Sequence, residues 1–184
     1  VKDSPENLEA VQYVASEIGN VIEDGYIENR MLLNFPGTLG YGLESLREVH
    51  YEMIPTVTQL IEKEDSGQGH IFGSILQNIL SYVKYGEIKY GDEPISDERI
   101  KTVFDLILDL DAALMSNSAK ERMNMTNYIL VHCWEYIESY VELCKKQHQE
   151  AQSAGATSSI SEVIAGMLGS MAGSTMTGAG DSTP

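Results

Sequence analysis

The chain has 184 residues, 42% of them apolar and 22% charged, a composition that excludes wholesale disorder and suits one domain with a real hydrophobic core. Twelve basic against 28 acidic residues give a formal net charge of −16. That field repels phosphate backbones and anionic headgroups, so nucleic acid and membrane are not expected partners, and it suits solubility or a basic protein partner.

Cys133 and Cys144 lie too far apart along one helical stretch to bridge each other, and no apolar window is long enough to span a bilayer. Free thiols and the lack of a basic-then-apolar leader point to the cytoplasm. A chain that opens at Val1 rather than methionine is expected to be a processed product or part of something longer.

In chain order, Ser4 before Pro5 reads as a helix cap, and Leu8, Val11, Ala15, Ile18 and Ile22 then form one apolar stripe that carries the helix to about Leu33. Gly25 falls on that stripe, where close packing or a kink is expected. The run from Asn34 to Gly42 holds four glycine or proline residues and reads as a turn region. A second helix is expected from Leu43 to Met53, with Pro55 ending or bending it and a continuation through Leu60 and Ile61. After the loop from Asp65 to Gly69, a third helix from His70 to about Tyr85 has a broad apolar face and is expected at the centre of the core.

Residues 85–91 read as a short strand or extended loop. A fourth helix is expected from Ser96 to Met115. A fifth and longest, opened by a capping box of Ser118 and Glu121, is expected to reach Gln149. From residue 151 the composition turns to Ala, Ser, Gly, Thr and Met, with one short patch near Ile160 that Ser159 and Glu162 are placed to cap. The expected architecture is therefore all-α: an irregular bundle of about five helices over residues 1–150, and a flexible low-complexity tail or linker over 151–184.

Phosphate-binding, dinucleotide-binding, zinc-ribbon and nucleophile-elbow signatures are absent from the sequence. Cys144 and His148 share a helical face but lack a second ligand pair, and read as a surface thiol and an exposed imidazole. Tyr82, Tyr85 and Tyr90 read as half-buried packing residues, Trp134 as core, and Met123 with Met125 as gap fillers. The densest polar cluster is in the first helix, where Glu17, Asn20, Asp24 and Glu28 fall along one strip and Glu23 nearer its apolar edge. Stacked carboxylates repel unless Arg30, another basic neighbour or a metal ion neutralises them; a solvated acidic face and a carboxylate metal site are both open readings.

The nine residues from Asn20 to Glu28 resemble the NIIEDGRIE-type segment of bacterial zincin-like, metallopeptidase-like proteins associated with a von Willebrand factor A domain. In those proteins an HExxH helix supplies two histidine ligands and a general base, and a later helix supplies an acidic third ligand. The resemblance implies Glu23 as a zinc ligand, with Asp24, Glu28, Asn20 and Glu17 as supporting or alternative ligands. This chain holds no HExxH, and Tyr26 stands where the pattern has arginine. The resemblance therefore implies either a histidine helix upstream, with other domains of the same polypeptide as partners, or a member that kept the scaffold and lost the catalyst.

Two functions follow as expectations. One is a helical module of a larger metallopeptidase-like protein, supplying an acidic ligand and incompetent alone. The other is a non-catalytic helical interaction or scaffold module.

Overall fold

The computed structural model describes residues 5–155 and 157–171, and among these every regular element is helical. The all-α expectation holds at that level. Nine helices replace the expected five among the described residues, because two of the expected helices are each broken in two, one continuation is a helix of its own, and a further helix forms in the stretch read as tail.

The longest helix is the first, α1 (Pro5–Asn34), which runs unbroken for 30 residues. Ser4, read as its cap, lies outside the described residues. Its buried row is Ala10, Val14, Ile18 and Ile22, joined by Val21 and Gly25. Leu8, expected in the stripe, is exposed instead. Steps of four drift by about 40° per step, so the row beginning at Ala10 and the row beginning at Leu8 converge only from Ile18 onward. Gly25 is a site of close packing rather than a kink: a Cβ there would fall 2.0 Å from Val83 Cγ1 on a neighbouring helix.

The turn after α1 is confined to residues 35–37, and α2 (Thr38–Met53) takes in Gly40 and Gly42, so the helix starts five residues earlier than expected. Pro55 ends the run, and Leu60 and Ile61 belong to a separate helix, α3 (Val57–Asp65). Thr56 and Gln59 start it with a reciprocal capping box: Gln59 N donates to Thr56 Oγ1 at 3.2 Å and Thr56 N to Gln59 Oε1 at 2.9 Å.

Next comes α4 (Ile71–Tyr85), the expected core helix. His70 caps it, its Nδ1 accepting from Phe72 N at 3.1 Å, and Gly86 ends it at φ 76°, a conformation that favours glycine. Residues 86–97 are a loop without a strand; it is tied down by Val57 N donating to Lys89 O at 2.9 Å and by burial of Ile88. Tyr82, Tyr85 and Tyr90 are half-buried, as expected.

The expected helix over 96–115 is α5 (Glu98–Phe104) and α6 (Ile107–Met115), separated where Leu106 N reaches back to Val103 O and Leu106 turns fully inward. The expected helix over 119–149 is α7 (Ala119–His132) and α8 (Trp134–Ser153), separated at the buried Cys133. The buried row Met125, Ile129, Cys133, Ile137 advances by four each time, and a straight helix would carry it off the core within a few turns.

The Ser118–Glu121 capping box does not form: the Ser118 side chain caps nothing, and Glu121 N bonds to the Ser118 carbonyl at 3.1 Å. Trp134 is half-buried against the core, Met125 is buried, and Met123 is exposed.

Within the stretch read as tail, Ile160–Met171 forms α9. Ser159 and Glu162 cap it reciprocally at 3.2 and 2.8 Å, and Ile160, Ile164 and Leu168 are buried. It packs on α8, α1 and α4. Tyr140 Oη donates to Ile164 O at 3.3 Å, and His148 Nε2 to Ser158 O at 2.8 Å. Residues 172–184 of the expected tail lie outside the described residues. Among the described residues no helix is long and apolar enough to cross a membrane.

Candidate functional site

On α1 the acidic residues diverge instead of converging. Glu23 faces α7, and its Oε1 accepts from Arg122 Nε at 2.8 Å. The Arg122 side chain is only 7% exposed, against 41% for Glu23, so this pair neutralises a deeply placed guanidinium at the rim of the core. Arg122 Nη1 also donates to Ser116 O at 3.1 Å, and its guanidinium lies 3.8 Å from the Tyr26 ring centroid. The hydrogen bond to Glu23 raises the Arg122 pKa against the opposing effect of burial, so the charge is held on firmly.

Arg30, one turn on, lies 5.3 Å from the same ring on its way to Asn117 Oδ1 and Met115 O. Tyr26 Oη donates to Asn117 Oδ1 at 3.3 Å. Tyr26, which stands where the resembled segment has arginine, is thus the platform on which two arginines rest. Beside it, a cleft of about 550 Å³ is lined by Asn29, Arg30, Leu32, Leu33, Asp111, Leu114 and Met115.

The other acids go elsewhere. Glu28 pairs with Lys84 of α4 at 3.0 Å. Glu17 is half-buried beside Tyr13, whose pKa is raised by burial and then by that carboxylate. Asp24 is half-buried and Asn20 exposed. Neutralisation therefore comes from Arg122 and Lys84, both distant in sequence. Arg30, the local candidate, turns to Asn117.

Among the described residues no three His, Cys, Asp or Glu side chains are grouped to hold a metal ion. The residues present do not fit zinc on their own, since they are not grouped and the Oε1 of Glu23 is engaged by a guanidinium that a dication would have to displace.

Cys144 and His148 are buried, not at the surface. Burial raises the Cys144 thiol to about 11 and the Cys133 thiol to about 12, so neither is a ready nucleophile or ligand at neutral pH. They are buried because α9 covers that face of α8: Cys144 Sγ lies 3.4 Å from Met167 Sδ.

Among the described residues one serine hydroxyl meets a histidine ring, Ser139 Oγ to His70 Nε2 at 3.2 Å. His70 Nδ1 accepts a backbone N–H, so its proton sits on Nε2 and points at Ser139. In that tautomer His70 donates to the serine and is not its general base. Burial also lowers the His70 pKa, against the pull of Glu64, which keeps the cap neutral.

Sequence reasoning missed a different feature, the outward face of α2. Leu39, Gly42, Leu46, Val49 and Met53 follow one another at steps of three, four, three and four, and all five are exposed. The four large side chains are 50–61% exposed. The inward side of α2 is held by buried Gly40, by the Tyr51 ring edge-on to Tyr85 at 5.2 Å, and by Arg47 over the Tyr85 ring at 5.5 Å. The heptad spacing was present in the sequence. What hid it was the reading of Leu39 and Gly42 as part of a turn, which left out the first half of the row.

No family model matches this chain, and no curated protein and no solved structure matches it either.

Proposed function

We propose that this chain is a non-catalytic helical interaction module that holds a partner against α2. One observation carries the reading: a 16-residue helix whose large apolar side chains sit in one continuous row in solvent, while its attachment to the bundle uses other residues. Single exposed apolar residues are ordinary; a contiguous row along a whole helix is the pattern of a docking surface. The acidic cluster of α1 serves the module by fixing the bundle, with Glu23 neutralising Arg122 and Glu28 neutralising Lys84.

A photoreactive side chain placed at position 46 tests this in cells that make the protein at its natural level. The expected result is one discrete adduct that disappears when Leu39 and Val49 are changed to Ser. Absence of an adduct, or the same adduct from a control position on the exposed side of α8, contradicts the reading.

A further inference from the structure

We infer that the partner on α2 is an amphipathic α-helix of another chain, with an apolar heptad seam bordered by Lys or Arg. This rests on the interaction reading above and adds the chemistry of the occupant.

The spacing selects a helix. Leu39, Leu46 and Met53 stand seven residues apart, with Gly42 and Val49 between them, which is the a/d repeat by which two helices pack side by side. A strand or an irregular segment has no 3.5-residue period with which to match that row. Gly42 has open space where a Cβ would be, so it leaves a notch in the row that suits a large side chain from the opposing helix.

Charge selects the border. Glu52 is exposed, and at 100° per residue it lies about 60° round the helix from Val49, on the edge where a partner's flanking residue would sit. The one arginine of α2, Arg47, is turned inward over Tyr85 and does not neutralise that edge. A second copy of this chain would bring its own Glu52 and another net charge of −16 to the contact, so a basic partner fits better than a self-association.

The test uses the full chain and three synthetic 21-residue peptides, followed by fluorescence anisotropy. One carries Leu at a and d with Lys at e and g, one replaces Lys with Glu, and one scrambles the Lys peptide. The expected result is that the Lys peptide binds at least about tenfold more tightly than either control, that binding weakens with added salt, and that Leu46→Glu with Val49→Glu abolishes it.

Equal binding of the Lys and Glu peptides overturns the basic partner and leaves the interaction reading standing. Binding of the scrambled peptide as tightly as the ordered one, or binding that survives the double substitution, overturns the helical occupant. If sedimentation shows that the free protein dimerises through α2, the occupant is a second copy and the inference falls. If no peptide binds and the free protein stays monomeric, the helical occupant falls, and the interaction reading stands or falls with the adduct from position 46.

Discussion

Two helices of nearly equal length, α2 and α4, make opposite use of their apolar residues. Ten of the fifteen residues of α4 are buried, including polar Ser74, Gln77, Asn78 and Ser81, so this helix is enclosed on most sides. Of the sixteen residues of α2 only Gly40 is buried. Both have apolar residues at helical spacing, so periodicity shows that each forms a helix and has an apolar side. It does not show whether the chain itself supplies what covers that side. The enclosed helix holds the fold together, and the exposed row of the other is the ground for the docking role proposed above.

That contrast can be broken most severely from the α4 side. Ile79→Ala removes a side chain that is fully inside the core and is expected to cost about 2–5 kcal/mol in urea denaturation. A cost below about 1 kcal/mol would mean that α4 is not the packed centre.

Next in size is the contact between α4 and α1. Gly25→Ala drives a methyl into Val83 and is expected to cost about 1–3 kcal/mol, part of which Val83→Ala in the same chain should return. Simple additivity of the two losses would show that they do not meet.

Glu23→Ala leaves the Arg122 guanidinium without its carboxylate. The expected loss is about 1–2 kcal/mol, discounted because Glu23 is partly solvated, and Glu23→Gln should return some of it through the retained acceptor. Unchanged stability in Glu23→Ala would remove the structural role given to this residue and revive the ligand reading.

The legible part of the fold was the part set by local signals. The α1 stripe from Ile18 onward, the α4 core face, the Ser159–Glu162 cap and the half-buried tyrosines all follow from spacing or capping chemistry confined to a few neighbours. The breaks at Leu106 and Cys133 were not legible, because each is a compromise between helix continuity and the position of a core that other segments create.

In the site, the sequence singled out Glu23 and Glu28 as acids needing neutralisation. Their partners Arg122 and Lys84 lie 99 and 56 positions away, and only the packing of α1 on α7 and α4 brings them together. The burial of Cys144 and His148 was hidden for the same reason, since it depends on α9 docking over them.

The most direct measurement is urea denaturation of the double variant Leu46→Glu, Val49→Glu, set beside Ile79→Ala under the same conditions. If the α2 row is a surface kept for a partner, the double variant stays within about 1 kcal/mol of the parent with an unchanged slope against denaturant. A loss of more than about 2 kcal/mol, approaching that of Ile79→Ala, would mean that the row is packed within this chain, and the account of α2 as a docking helix would be wrong.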